Sequence, residues 1–372
     1  MVYKAFKFRI YPNLEQQIQI NKTLGCARLV YNYFLNYKND YYKTTGKSIS
    51  YTSCSKLLTQ LKKDRPFLKE VDKFSMQNAL KELQTAFNHF FKDGYGYPKF
   101  KSKRNIKNSY TTHFTRDNIK VLDHHIQIPK VGKIKYKGYK NKNIGQYKII
   151  KATISKNSSN QYFCSVTCEV DINPMPTLTT SVGIDFGIKA FATLSNGVSI
   201  RNPRTLFVYE HKLKKAQRKL SKKQKGSKNY EKQRLKVARI HNKIANIRED
   251  FLQKETTKII RENQIICIED LSVKKMMMSK KHKNIAKELS NVSLNKAVKM
   301  LTYKAEWYKR ELVKIDTYYP SSQLCNNCGY QNKNLKLIDR EWICPSCNTK
   351  LDRDYNSSIN IEKEGLRILA TL

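Results

Sequence analysis

The chain has 372 residues, 40% of them hydrophobic, with 72 Lys and Arg against 30 Asp and Glu, a formal charge of +42. The hydrophobic share excludes a disordered polyelectrolyte, and the length allows two or three domains with a real core. A charge this large repels itself in a compact fold unless a polyanion neutralises it, and its even spread fits a long nucleic-acid path better than one basic arm. No run of about 18 apolar residues and no signal-peptide core interrupts the chain, so neither a membrane span nor secretion is expected. Five of the nine cysteines (Cys26, Cys54, Cys164, Cys168, Cys267) are scattered. This suits buried thiols in a reducing, cytoplasmic setting.

Val2–Tyr11 alternates apolar and basic residues, as a strand does, and Pro12 ends it. Leu14–Tyr42 has helical spacing, with Leu24, Ala27, Leu29, Val30, Tyr33 and Phe34 on one face. Cys54–Lys63 and Ser75–Phe91 read as further helices, the second with Ser75 as N-cap and a core stripe of Met76, Leu80, Leu83 and Phe87. Gly94–Lys103 is a loop. The short alternating runs Ile119–Val121, Ile126–Ile128, Ile134–Tyr136, Tyr147–Ser155 and Tyr162–Glu169 predict a small antiparallel barrel. The opening strand is expected to join it, with the helical bundle inserted between. Asp171–Thr180, with two prolines, is a linker.

From Ser181 strands and helices alternate, which predicts an α/β unit. Val182–Ile184 runs into Asp185, a Gly187 turn follows, and Ala190–Leu194 is the next strand. Ile265–Asp270 is another short apolar strand, ending in Glu269, and Asp354 stands at a small-residue helix entry. An acid at a strand end commonly caps its own turn. Three such acids can instead converge on one sheet edge, where their oxygens would hold divalent metal for phosphodiester hydrolysis. Asp352 is the rival third acid. Arg204–Asn263 is expected to be a strongly basic helical hairpin packed on the sheet, turning near Lys225–Asn229, with Val237, Ile240, Ile244, Ile247 and Phe251 inward. Residues 271–289 read as a mobile loop and Asn291–Val313 as a helix carrying Trp307 and Tyr308.

Cys325 and Cys328 form one CxxC, Cys344 and Cys347 a second, with Gly329 and Pro345 placed to make the knuckle turns. That is the spacing of a four-thiolate zinc ribbon, a structural site with no open position for water. Paired disulfides or unrelated thiols fit a chain without secretory signals poorly.

The segments GIDFGIKAFATLSNG, IICIEDL, PSSQLCNNCG, CPSC and LDRDYNSSINI together resemble the nuclease half of the TnpB family, transposon-encoded relatives of the Cas12 effectors. KAFKFRIYPN, GYPKFKSKR and HNKIANIREDF resemble other blocks of that family, so the likeness spans nearly the whole chain. It implies an α/β multidomain protein. Residues 1–11 and 95–175 would form a WED-like β-barrel and 12–94 an inserted REC-like helical bundle. Residues 181–318 and 350–372 would form a RuvC-like (RNase H-like) nuclease domain, with the zinc ribbon at 319–349. It implies an RNA-guided DNA endonuclease: a guide RNA from the transposon end, one protein per RNA, pairs with double-stranded target DNA beside a short motif. Matching motifs put the catalytic acids at Asp185, Glu269 and Asp354, holding Mg2+ or Mn2+. A compact CRISPR effector and a guide-dependent DNA-binding regulator without cleavage are the alternatives. A transposase of the His-apolar-His type is disfavoured, because His124 and His125 are adjacent.

The target-adjacent motif must be read from base edges by side chains with paired donors and acceptors. Lys73 and Gln77 stand four apart at one helix start, on one face, with Phe74 beside them to meet a thymine methyl. Tyr51 and Ser55 at the preceding helix entry, and Thr115, could add hydrogen bonds. The bland reading is a solvated helix face with Phe74 in the core. The resemblance of the KFSMQNAL block to a family block favours motif reading.

Overall fold

The alternating start of the chain forms strand β1 (Val2–Tyr11), with Phe6, Phe8 and Ile10 buried on one face. The structure, a computed structural model, describes residues 1–103, 108–137, 144–270, 293–336 and 338–371. They divide into two units, Met1–Asp171 and Ile172–Leu372.

In the first unit β1 lies inside a seven-stranded sheet with β2 (Asn108–His113), β3 (Lys120–Val121), β4 (His125–Ile128), β5 (Gly132–Lys137), β6 (Lys148–Lys156) and β7 (Tyr162–Val170). The order is β2-β6-β7-β1-β5-β4-β3. β1 pairs with β7 from Val2↔Val170 to Ile10↔Tyr162 and with β5 from Arg9↔Lys137 to Tyr11↔Lys135, all antiparallel. The opening strand therefore joins the later strands, as the sequence predicted. β2 was not anticipated: its NSYTTH run carries Tyr110 and Thr112 inward where alternation of purely apolar residues was sought. Among the described residues the two edge strands, β2 and β3, are not paired with each other, so the sheet is not seen to close into a barrel.

Between β1 and β2 come α1 (Leu14–Thr45), α2 (Tyr51–Asp64) and α3 (Lys73–Asp93). Asn13 and Gln16 make a capping box at the start of α1, and Gly46, at φ 66°, ends it in the left-handed conformation. Three predicted details are corrected. Tyr33 is exposed and Leu29 half-buried, while Tyr31 and Leu35 join the predicted Leu24, Ala27, Val30 and Phe34 on the buried face of α1. The N-cap of α3 is Asp72, whose carboxylate accepts from the Ser75 N–H at 3.1 Å; Ser75 is buried one turn in. Phe87 is half-buried, stacked on Phe91 rather than sealed in the core.

The second unit is built on a five-stranded sheet of β8 (Ser181–Phe186), β9 (Ala190–Leu194), β10 (Ser199–Arg201), β11 (Ile265–Glu269) and β12 (Glu311–Ile315), in the order β10-β9-β8-β11-β12. β8, β11 and β12 run parallel. The helices are α4 (Thr205–Ser221), α5 (Lys228–Glu262), α6 (Leu294–Tyr308) and α7 (Arg353–Ala370). Val182, Ile184, Phe191, Leu252, Ile260, Ile268 and Leu301 pack in one buried cluster, which seats the end of α5 and α6 on the sheet. Of the five residues predicted to face inward from α5, Ile244 alone is fully buried; Phe251 is half-buried and packs on Phe191 of β9 with ring centroids 5.0 Å apart, and the earlier part of α5 lies against α4. The predicted helix over Asn291–Val313 stops at Tyr308. Lys309 turns left-handed (φ 53°), and Glu311–Ile315 becomes β12, whose Val313 and Ile315 are needed to extend the parallel sheet. Buried Arg310 fixes that exit by donating to the carbonyls of Ile260 and Pro176 and to the Gln264 side chain, at 3.0, 2.9 and 2.6 Å. The predicted loop over 271–289 lies outside the described residues.

No helix among the described residues is long and apolar enough to cross a membrane. All five scattered cysteines are buried, as expected.

Candidate functional site

β8 and β11 are neighbours in parallel register, Ile184 opposite Ile268. One step further along each strand stand Asp185 and Glu269, side by side at the carboxyl edge of the sheet, where open α/β sheets place their ligand sites. Asp354 lies in the first turn of α7. Burial pushes the Asp185 carboxyl up to about 8, with Glu269 and Asp354 adding to the rise and Arg353 and Arg340 opposing it. Burial also raises Glu269, against a hydrogen bond donated by the Ser321 hydroxyl at 2.6 Å. The structure thus brings the three predicted acids into one electrostatic cluster. A buried carboxylate whose charge is disfavoured by two neighbouring acids calls for a cation.

The rival Asp352 has another task. It is the N-cap of α7, its carboxylate accepting from the Tyr355 N–H at 2.8 Å, and its backbone belongs to a ribbon strand opposite Glu341. Sequence reasoning missed Arg340, whose guanidinium is 3.5 Å from Asp354, because nothing in the sequence separates it from the other basic residues. It also missed Ser321, although the PSS segment containing it was part of the family resemblance.

The four predicted thiols gather at the ribbon, their sulfurs all within 4.8 Å of one another. Cys325 and Cys347 are 3.6 Å apart, Cys328 and Cys344 3.5 Å. A tetrahedron with Zn–S of about 2.3 Å has S···S edges of about 3.8 Å, so the set fits zinc. Gly329, at φ 78°, donates to the Cys325 carbonyl, and Asn348, at φ 56°, donates to the Cys344 carbonyl, each at 2.9 Å. The second knuckle is therefore completed by Asn348, with Pro345 only opening it, because the turn needs a left-handed residue that proline cannot be. Hydrogen bonds from Thr349 draw the Cys347 thiol down to about 6, toward the thiolate that binds metal. Strands β13 (Glu341–Ile343) and β14 (Lys350–Asp352) carry Trp342 and Leu351 into the small core beside Cys325 and Cys344.

Of the residues proposed to read DNA, Lys73, Phe74 and Gln77 sit on the first turns of α3. Lys73 lies over the Phe74 ring at 5.1 Å, and Phe74 meets His113 of β2 edge-on at 5.6 Å. Asn78 ties the same turns to β2 by donating to the Thr111 carbonyl at 2.8 Å, while its Oδ1 lies 3.1 Å from His113 Nε2. Exposed Thr115 follows β2 closely. Tyr51 and Ser55 are on the first turns of α2, whose far end, Lys62, lies close enough to Lys73 for the two charges to repel. About 16 Å of helix separates Tyr51 from Lys62.

Family models match three stretches: "Probable transposase" over residues 164–280, "Cas12f1-like, TNB domain" over 295–361 and "Helix-turn-helix domain" over 1–47. The "Putative RNA-guided DNA endonuclease" of Streptomyces pristinaespiralis is 38% identical over 98% of this chain and 90% of its own length. The "Putative RNA-guided DNA endonuclease InsQ" of Escherichia coli K12 is 28% identical over 99% and 93%. A solved Cas12f1–sgRNA–target DNA complex overlays with a TM-score of 0.36 at 18% identity, covering 97% of this chain and 99% of that one. That overlay is too loose to superpose individual residues. On the strength of 38% identity to the Streptomyces protein over nearly the full length of both chains, the chain belongs to the TnpB family, in which these two curated relatives carry the name RNA-guided DNA endonuclease.

Proposed function

We propose that this chain is a transposon-encoded, guide-RNA-dependent DNA endonuclease acting in the bacterial cytoplasm, one protein per guide RNA. The observation that carries the chemistry is the convergence of Asp185, Glu269 and Asp354, with Asp185 pushed up to about 8 by burial and by the other two acids. The three carboxylates are a hard oxygen donor set suited to Mg2+ or Mn2+. When bound, such ions activate a water and stabilise the leaving oxygen of a phosphodiester. Glu269 is held by Ser321, and Asp354 by its place in the capped first turn of α7. Arg340, paired with Asp354, and Arg353, which donates to the Lys336 carbonyl and the Ser322 hydroxyl, supply positive charge beside the acids. The ribbon thiols hold zinc, which is structural because four thiolates leave no open position.

The α4–α5 hairpin supports a backbone-binding role. Lys212, Lys215, Lys219, Lys236, Arg239 and Lys243 line one groove whose lining includes no acid. Phosphate contacts of this kind hold nucleic acid irrespective of sequence, which suits a protein that leaves sequence reading to base pairing. The finer division proposed is a WED-like part (1–11, 95–175), a REC-like part (12–94), a RuvC-like part (181–318, 350–372) and the ribbon (319–349). Lys73, Phe74 and Gln77, with Tyr51, Ser55 and Thr115, are proposed to read the motif beside the target. The test is to purify the protein with its RNA, sequence that RNA, and assay a plasmid carrying the matching target in Mg2+. Guide-dependent cutting is expected; RNA-free protein that cuts equally well would refute the reading.

A further inference from the structure

Ser321 spends every polar group it has. Its N–H donates to the Tyr319 carbonyl at 2.8 Å and its carbonyl accepts from Asn360 Nδ2 at 2.8 Å. Its hydroxyl donates to Glu269 at 2.6 Å and accepts from the Ser357 hydroxyl at 3.0 Å. Ser321 is 4% exposed and Ser357 2%, so water does not compete for these bonds. Ser357 and Asn360 belong to α7, one to two turns beyond Asp354. Asn356 and Asn360, from the same helix, both donate to the Leu324 carbonyl at 2.7 Å, and Asn356 accepts from the Asn326 N–H at 2.9 Å. The segment entering the first zinc-ligand pair is thereby sewn to the helix that carries Asp354, and through Ser321 it also bonds Glu269 at the end of β11.

We propose that Ser321 is a positioning residue for the nuclease metal site: it fixes the Glu269 carboxylate relative to Asp354 by joining β11 to α7. The proposal rests on the reading of Asp185, Glu269 and Asp354 as metal ligands. A hydroxyl donating to a carboxylate restricts its rotamer and directs its remaining lone pairs outward. Outer partners of this kind typically set metal affinity by 10–100-fold. The link runs through buried hydroxyls rather than apolar packing, so deleting one oxygen cuts it with little change of volume.

The test uses full-length, RNA-loaded protein and Fe2+ as probe, with ascorbate and peroxide to cut the polypeptide wherever iron is bound. Cuts are expected near Asp185, Glu269 and Asp354 in the unaltered protein and none there in Asp185→Ala. In Ser321→Ala the half-saturating Fe2+ concentration for those cuts should rise about 10–100-fold. Zinc content and melting temperature should stay close to those of the unaltered protein. Ser321→Thr, which keeps the oxygen, should restore affinity. Ser357→Ala, which removes only the donor to Ser321, should give a smaller shift in the same direction. If Ser321→Ala loses its zinc, these two variants decide. Unchanged half-saturation in Ser321→Ala, or in Ser357→Ala together with no recovery in Ser321→Thr, overturns the positioning role and leaves the metal reading standing. Unaltered protein that is never cut beside the three acids overturns both.

Discussion

Gly183 on β8 meets the backbone of Ser358 on α7 so closely that a β-carbon built on Gly183 would stand 2.0 Å from the Ser358 carbonyl oxygen. The nitrogen of Glu362 would be 2.6 Å away. A second glycine, Gly365, repeats the device further along α7, where an added β-carbon would stand 2.3 Å from Cys267 Sγ on β11. Helix and sheet therefore touch backbone to strand. Asp185 lies two residues beyond the first contact, and Asp354 lies one turn before it.

Gly183→Ala should accordingly force α7 away from the sheet. Overpacking against rigid backbone is expected to cost about 3 kcal/mol or more. It should also abolish cleavage, because Asp354 moves with the helix. Gly365→Ala, which meets the Cys267 side chain rather than backbone, should cost about 1–3 kcal/mol and retain part of the activity. Thermal melts and plasmid cleavage measured side by side check the ordering; equal activity in both variants would contradict it.

The two acids near the start of α7 should separate cleanly. Asp352→Asn keeps a capping oxygen and should keep both stability and cutting. Asp352→Ala should lose about 1 kcal/mol from the lost cap and still cut. Asp354→Ala should keep the fold and lose cutting. A dead Asp352→Asn with an active Asp354→Ala would exchange their roles.

The ribbon should contain one zinc per chain. Trp342 is 7% exposed within the small core that the thiols close. Because binding energy at such sites is folding energy, Cys344→Ala or prolonged chelation should unfold the ribbon. The emission of Trp342 should then shift to the red, and cutting should fall with it. Zinc-free protein, by elemental analysis in non-chelating buffer, with native Trp342 emission would count against this assignment.

Lys304 on α6 is 4% exposed and donates to the Gln253 carbonyl and to the hydroxyls of Thr256 and Thr257 at 3.0, 2.7 and 2.8 Å. No carboxylate is among these partners, and burial lowers its pKa from 10.5 to about 8. A depressed lysine binds fewer protons folded than unfolded, so its burden on stability is full below pH 8 and fades as pH rises from 8 toward 10.5. Lys304→Met should therefore stabilise the second unit by about 1–3 kcal/mol at pH 7, less at pH 9.5. Melting curves at the two pH values test the sign: destabilisation at pH 7, or a gain that grows with pH, would refute it.

Much of this was legible in the sequence because it is written in short-range chemistry. The alternation in Val2–Tyr11, the acids at the ends of apolar strands and the paired CxxC motifs each depend on neighbouring residues. What was not legible depends on distant ones. Glu311–Ile315 reads as the tail of a helix, and becomes a strand only because β11 offers it a parallel edge and Arg310 finds three acceptors. Ser321 and Arg340 are ordinary residues until α7 brings Ser357 and Asp354 to them. Asp352 and Asp354 look equivalent until the cap of α7 is placed.

The central claim is that the acid cluster is a metal-dependent nuclease centre working under an RNA guide, and Asp185→Ala tests it most directly. The variant, purified with its guide RNA, should bind a matched target duplex as tightly as the unaltered protein and leave it uncut in Mg2+ or Mn2+. Removing one ligand, and the carboxyl pushed up to about 8, dismantles the metal site while leaving the basic surfaces intact. Normal guided cutting by Asp185→Ala would contradict the account.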